Sequence, residues 1–275
     1  MAPLIGSTVH LNNGVEMPVL GLGVWQIPSG RATQQAVLFA LHAGYRLIDT
    51  AKLYGNERDV GIAVKESGIP REDVFVTTKL WNSDHGYEPA LRAFDESLKR
   101  LDLGYVDLYL IHWPVPRLRD ETWRAMERIL KEGKARAIGV SNYTVRHLEE
   151  LARTASLPPA VDQIEFSPFL YSDGFLRYCK DAGIQAEAYS PLTKGTKLGH
   201  PLLRRIAAAH GRSPAQILIR WSLQHGLVVI PKSARRERIQ ENVRVFDFEL
   251  SPEDMRALDG LQQDYHTSWN PQDAP

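Results

Sequence analysis

Residues 73–112 contain two apolar runs, DVFVTTK (73–79) and VDLYLIH (106–112), with GYEPALRAFDESLKRL (86–101) between them. Both runs are short and rich in β-branched and aromatic residues, as strands buried on two faces are. The stretch between them carries its apolar residues on one helical face. Strand, helix and strand in succession form a unit whose two strands lie parallel.

The same alternation extends in both directions. Strand candidates are VLGLGVW (19–25), YRLIDT (45–50), VFVTTKL (74–80), DLYLIH (107–112), ARAIGV (135–140), VDQIEF (161–166), IQAEAYS (184–190) and LVVIP (227–231). Each is followed by an amphipathic helical stretch, so the chain is expected to close an eight-stranded α/β barrel, for which about 250 residues is typical. TVHL and VEMPV, around Asn12-Asn13-Gly14, are expected to form an opening hairpin in which an Asn-Gly pair supplies positive φ angles. Two helices exceed the simple pattern, PLLRRIAAAH (201–210) and SPEDMRALDGL (251–261). SPAQILIRWSLQ (213–224) and the second of these open on a Ser-Pro start signal. With no linker or repeat in view, residues 1–275 are expected to fold as one domain.

Composition narrows the function. The chain has 275 residues, 43% of them hydrophobic, and a formal net charge of zero. General attraction to nucleic acid is not supported, so any anion must be bound locally. The single cysteine, Cys179, allows no internal disulfide and suits a reducing cytoplasm. Neither a basic, then apolar leader nor a long apolar run is visible, so export and membrane insertion are not expected. A monomer is expected, because a closed barrel has no sheet edge to share. No cluster of metal-ligating residues is visible in the sequence.

Asp49, Tyr54, Lys79 and His112 fall at or just past the ends of three successive strands, where barrel enzymes keep their chemistry. Together they could reduce a carbonyl. Tyr54 would be the acid, and Lys79 an ammonium that lowers the phenol's pKa. Asp49 would hold the lysine, and His112 would donate to the carbonyl oxygen. Singly, each has an ordinary structural explanation as a turn, cap or strand-end residue. Trp25, Trp81 and Trp113 lie just beyond neighbouring strand ends and are expected to line an apolar substrate cleft, with His112 and Tyr54 at its base. Short loops imply an open cleft, and the tail DYHTSWNPQDAP (264–275) could either close it with Trp269 or be disordered.

The segments GYRLIDTAKLYGNE (44–57), VTTKLW (76–81), LYLIHWP (108–114), GVSNY (139–143), VDQIEF (161–166) and VVIPKSARRERIQEN (228–242) resemble the aldo-keto reductase superfamily from the first hairpin to about residue 260. TTKLWNSDHGYEPALRAF (77–94) and RRERIQENVRVFDF (235–248) resemble its bacterial 2,5-diketo-D-gluconate reductase group. The resemblance implies a (β/α)8 TIM barrel with an N-terminal hairpin and two extra helices. It also implies NADPH-dependent reduction of aldehydes or ketones, with Asp49, Tyr54, Lys79 and His112 as the catalytic tetrad and Tyr54 as general acid. It places Ser141, Asn142 and Gln163 on the nicotinamide carboxamide, with Tyr189 stacked on the ring. Ser190 and Leu192 of SPLTKG would contact the pyrophosphate, and Glu241 and Asn242 the adenine. Lys232, Ser233 and Arg238 cluster at a helix amino terminus suited to phosphate, and the resemblance assigns them to the adenosine 2'-phosphate. Arg235 would add a second phosphate contact, while Arg236 faces water. Gly21 and Gly23 are read as structural, because Gln26 occupies the third glycine position of a dinucleotide turn.

Two features depart from the family pattern. Asp162 stands where Asn is usual, which could alter hydrogen bonding near the nicotinamide, and Ser167-Pro168 replaces His-Pro. Two other functions compete with the reductase reading. A glycosidase would need a carboxylate pair, with Asp49 and Glu165 or Glu187 as candidates, but it leaves Tyr54 and Lys79 unexplained. A cofactor-binding sensor would tolerate loss of the tetrad, which this chain retains. Aldehydes, dicarbonyls and keto-sugar acids all remain open as substrates.

Overall fold

The computed structural model describes residues 5–273. Eight parallel strands run in sequence order around a barrel. They are β3 (Gly21–Gly23), β4 (Leu47–Asp49), β5 (Phe75–Leu80), β6 (Val106–Ile111), β7 (Ala135–Ser141), β8 (Val161–Glu165), β9 (Gln185–Tyr189) and β10 (Val228–Val229). Bridges from Leu20 to Val229 and from Gly23 to Lys232 join the last strand to the first. Close packing explains the two glycines. A Cβ on Gly21 would lie 2.4 Å from the Leu47 side chain, and one on Gly23 would lie 3.1 Å from the Ile230 carbonyl oxygen.

Alternation along each strand sorts side chains into two layers. Leu47, Phe75, Leu108, Leu110, Ala137, Val161 and Val228 point inward and form an apolar core. Ile48, Val76, Tyr109, Ile111, Ile138, Val140 and Ala188 point outward against the helices. The hairpin of β1 (Thr8–His10) and β2 (Glu16–Pro18) closes the floor, sending Leu11 and Met17 into the inner core. Asn12 and Asn13 donate to the carbonyls of Pro159 and Arg136. The turn differs from the expectation, since among these residues only Gly14 has positive φ, 82°. A bond from Gly14 N–H to Leu11 O makes the tight turn, so Asn13 needs no left-handed conformation.

Ten α-helices surround the barrel among the described residues. The last two units each carry an additional helix: α7 (Pro201–Ala209) precedes α8 (Pro214–Gln224), and α10 (Pro252–Asp259) follows α9 (Arg236–Asn242). The Ser-Pro starts are explained by reciprocal capping. Ser213 and Ser251 accept from the backbone of Gln216 and Asp254, whose side chains return the bond, with Pro at the first helical position.

Candidate active site

Tyr54 sits on a single 3-10 turn, Lys52–Tyr54, that follows β4. Gly55 ends the turn at φ 68°, a conformation open to glycine at little cost. Beneath it, fully buried Asn56 donates to the carbonyls of Val24 and Ile27 and accepts from Thr50 Oγ1 at 2.8 Å. These bonds tie the loop carrying Tyr54 to the neighbouring strand end.

Lys79 reaches Tyr54 from β5. Its Nζ donates to the two Asp49 carboxylate oxygens at 2.6 and 2.7 Å, to Thr50 O at 3.0 Å and to Tyr54 Oη at 3.2 Å. Asp49 and Lys79 are both buried. At the bidentate contact their mutual attraction offsets the cost of removing both charges from water. Because the phenol oxygen accepts from Lys79, its own hydrogen remains available for another acceptor.

The expected lowering of the Tyr54 pKa is not found. Burial, and then the charges of Asp49 and Glu187, hold the phenol well above its ordinary value. The ammonium is matched by Asp49 at contact distance, so the pair presents little net positive charge to Tyr54. Tyr54 is therefore fully protonated near neutrality, although its ring is only half-buried. The His112 ring lies 5.7 Å from the Tyr54 ring, edge to face. Burial and, secondly, Lys79 push the imidazole well below its usual pKa, which makes it a neutral donor. Its Nδ1 is buried and has no partner among the described residues.

Next to the tetrad, Ser141, Asn142, Gln163 and Tyr189 are brought into one network. Asn142 Nδ2 donates to His112 O at 2.9 Å, and Tyr189 Oη donates to Asn142 Oδ1 at 2.8 Å. Ser141 Oγ donates to Gln163 O at 2.7 Å. Asn142 adopts φ 63° and Ser190 φ 49°, conformations uncommon outside glycine that occur where a site over-determines the backbone. Leu192 O accepts from Gly195 N–H at 2.7 Å, which folds the 190–195 segment into a tight strap.

Lys232, Ser233, Arg235 and Arg238 form a separate group at the start of α9, outside this network. Ser233 Oγ accepts from Arg235 N–H at 3.1 Å. Arg235 and Arg238 are exposed, and neither is in an ion pair among the described residues. Arg236 is exposed too, but its guanidinium stacks 5.4 Å from the centre of the Phe39 ring. Glu241 and Asn242 lie at the far end of α9, Asn242 being buried. The free guanidiniums and nearby backbone donors suit a phosphorylated ligand.

The tryptophans gather over the tetrad. Trp25 lies 4.7 Å from the Tyr54 ring and Trp81 lies 5.2 Å from His112. Trp113 stands one residue beyond His112, and the tail brings Trp269 to 5.3 Å from it and 6.4 Å from Trp81. The tail thus narrows a cleft expected to be open. Residues 274 and 275 of that tail lie outside the described residues.

A profile of the Aldo/keto reductase family matches residues 19–263. The chain belongs to the aldo/keto reductase family. It is 52% identical over 271 residues, 98% of each chain, to a protein named glyoxal reductase from Bacillus subtilis (strain 168). It is 47% identical over 280 residues, 96% of this chain and 94% of the other, to a morphine 6-dehydrogenase of Pseudomonas putida. An aldo-keto reductase crystal structure from a Medee basin deep-sea metagenome library superposes with a TM-score of 0.93 at 45% identity, covering 97% of this chain and 99% of that one. The protein is thus an oxidoreductase of carbonyl compounds, in a family that generally uses NAD(P)H.

Three carboxyl groups of this aldo/keto reductase behave in ways the sequence did not signal. Glu165, at the end of β8, accepts from Thr267 N–H at 2.8 Å, from Ser268 N–H at 3.0 Å and from the Thr267 hydroxyl. It holds the tail immediately before Trp269. Lys194 of the 190–195 segment donates to Thr267 O, and Tyr265 Oη donates to Thr196 Oγ1 at 3.1 Å. The tail and that segment are therefore joined. Glu187 faces the barrel interior from β9 and shares an amide with Asp49: Gln163 Nε2 donates to Asp49 Oδ2 and to Glu187 Oε2, both at 2.8 Å. Asp162 points the other way, into the layer beneath the helices, because neighbouring strand residues face opposite sides. Neither oxygen has a partner at hydrogen-bond geometry among the described residues, and burial holds its pKa well above the carboxylate range, opposed only by the dipole of the nearby Tyr143 backbone N–H. The Asp162 carboxyl thus makes no hydrogen bond to Gln163 among the described residues, while its charge still acts on Tyr189.

A cavity of about 840 Å³ opens between residues 142–146, residues 164–175 and the tail. Arg146, Phe166, Tyr171, Phe175 and His266 are among its lining residues, and neither Tyr54 nor His112 is.

Proposed function

We propose that the protein is an NADPH-dependent reductase of aldehydes and ketones, with Tyr54 as general acid. The observation that carries this reading is the placement of one buried ammonium, Lys79 Nζ, against both the Asp49 carboxylate and Tyr54 Oη. The reduced nicotinamide, when bound, would supply hydride to the carbonyl carbon. Tyr54 gives its hydroxyl proton to the carbonyl oxygen, and Lys79, donating to Oη, stabilises the phenolate that remains. Neutral His112 donates to the same carbonyl oxygen and orients it. Trp25, Trp81 and Trp113 exclude water from the reacting carbon and bind substrate through apolar surface.

Ser141, Asn142 and Gln163 would hold the carboxamide, and Tyr189 would stack on the nicotinamide. Ser190 and Leu192 cover the pyrophosphate, and Glu241 and Asn242 reach the adenine. Lys232, Ser233 and Arg238 bind the 2'-phosphate, with Arg235 beside them. An apolar cleft without a paired arginine suits small aldehydes and α-dicarbonyls, and the likeness to a protein named glyoxal reductase supports that class. The chain works as a cytoplasmic monomer, a setting consistent with its single unpaired cysteine, Cys179.

The test is the absorbance of reduced nicotinamide after NADPH is mixed with the protein and a simple aldehyde. Aldehyde-dependent loss of the band is expected. Binding without turnover would point to a sensor, and absence of both would end the reading. In a parallel titration, Arg238→Met is expected to weaken NADPH selectively. A charge-assisted bond of roughly 1.5–3 kcal/mol corresponds to about ten- to 150-fold in affinity. Equal weakening of NADH would show that Arg238 does not read the 2'-phosphate.

A further inference from the structure

Glu187 is a carboxyl group without a job in the mechanism above. It is fully buried, it projects into the barrel two residues before Tyr189 on the same face of β9, and it is in register with Gln163 of β8. One oxygen accepts from Gln163, and the other, Oε1, is buried without a partner among the described residues. The nearby cation is already engaged, since the Lys79 contacts go to Asp49, Thr50 and Tyr54. Two carboxylates sharing one amide in a buried layer, with one cation that contacts only Asp49 of the two, cannot both be charged at low cost.

We propose that Glu187 is a positioning residue that serves the reaction as an uncharged acid: it accepts from the Gln163 amide that also holds Asp49, and it leaves the Asp49–Lys79 pair electrically balanced behind Tyr54. This rests on Tyr54 being the proton donor. In that step the Tyr54 O–H bond breaks and its proton forms the hydroxyl of the alcohol. Hydride from the reduced nicotinamide forms the new C–H bond, and the O–H electron pair stays on Tyr54 as phenolate. A charged Glu187 would repel the phenolate and slow its formation.

The groups that face Glu187 act in both directions. Asp49 of β4 disfavours its ionisation, and Lys79 of β5 together with the Gln163 hydrogen bond favours it. Tyr54 is acted on in turn by the charges of Asp49 and Glu187. Burial is the largest influence, and the net result pushes Glu187 up to about 8. Tyr54 is held higher still, so a fall in reductive activity as pH rises through about 8 is the expected signature of Glu187 and not of the phenol.

The experiment measures kcat/KM for an aldehyde against pH in wild type and in Glu187→Gln. It is combined with a carbon-13 NMR titration of glutamate-labelled protein, in which loss of one resonance in Glu187→Asp assigns Glu187. In wild type, kcat/KM is expected to fall as pH rises through about 8. In Glu187→Gln that fall should move upward by at least about one unit, leaving the limb set by higher-pKa groups. The Glu187 resonance should titrate well above the other glutamates. Superimposable pH profiles, or a Glu187 resonance titrating in the ordinary carboxylate range, would overturn the proposal. The titration needs no turnover and is read on wild-type protein, so it decides even where Glu187→Gln fails to fold. Should Tyr54→Phe keep full turnover, the acid assignment fails while the titration still reports the charge of Glu187.

Discussion

The floor and the mouth of the barrel are built from the same strands and could hardly differ more. On β4, Leu47 joins the apolar floor and Asp49, two residues on, joins the ion pair. On β5 the inward series runs Phe75, Thr77, Lys79, and on β8 it runs Val161, Gln163, Glu165. Each step of two residues moves about 7 Å along a strand. That distance separates side chains held by exclusion of water from side chains held by charge and hydrogen bonds. Stability and chemistry are thus divided along each strand rather than between strands, as in barrel enzymes generally. The division is incomplete, because the buried pair at the mouth also bears on stability.

Lys79→Met probes that incompleteness and should have the largest effect of all. Turnover is expected to fall at least about a hundredfold. Leaving Asp49 buried without its partner should also cost about 3–5 kcal/mol in urea unfolding. A variant as stable as wild type would place the pair outside the stability of the mouth. Phe75→Ala attacks the floor instead. A loss of about 3–5 kcal/mol is expected from the cavity it leaves, with kcat/KM of the folded fraction held within about threefold. A large kinetic defect in correctly folded protein would show that floor and mouth are coupled.

Glu165→Gln sharpens the picture at the rim. Glutamine keeps one acceptor oxygen and loses the charge, so the tail before Trp269 should loosen. KM for the carbonyl substrate is expected to rise about three- to tenfold with kcat retained, a modest share of a charge-assisted bond. Trp269→Ala should reproduce that pattern, and additive effects in the double variant would separate the two residues. The last expected effect concerns stability and is read only as a change with pH. Glu187 has a raised pKa in the folded chain, about 8, against about 4.3 unfolded. Its contribution is therefore fully favourable at low pH and is lost as pH rises across that window. The melting temperature of Glu187→Gln relative to wild type should accordingly rise between those two pH values by on the order of ten degrees. A constant difference would mean that Glu187 ionises normally.

Much of this was legible before any coordinates. Alternating strands and helices, the Ser-Pro helix starts and the glycines of β3 follow from local pattern. Asp49, Lys79 and His112 could be placed on one rim because each ends an apolar run. Other features depend on which side chains meet across the barrel. Glu187 reads as a charged residue inside a strand, and only its approach to Gln163 and Asp49 reveals a shared amide. Glu165 could have been suspected from its inward place two residues after Gln163, but its partner lies about 100 residues away in the tail. The direction of the Tyr54 pKa shift was not legible because pairing Lys79 with Tyr54 in sequence terms leaves out the burial of the phenol first, and then the charge of Asp49 against the same ammonium. The facing of Asp162 was not legible either, since it adjoins Gln163 in sequence while a strand sends the two side chains to opposite faces.

The central claim is that Tyr54 delivers the proton, and a rapid-mixing measurement with Tyr54→Phe tests it most directly. NADPH affinity is followed by fluorescence, and single-turnover hydride transfer to an aldehyde by loss of the reduced-nicotinamide band. Phenylalanine keeps the ring against Trp25 and His112 and removes only the hydroxyl held by Lys79. The account predicts NADPH binding within about threefold of wild type and hydride transfer slower by at least about a hundredfold. Hydride transfer at the wild-type rate would contradict it and would require the proton to come from another group, with His112 the first to examine.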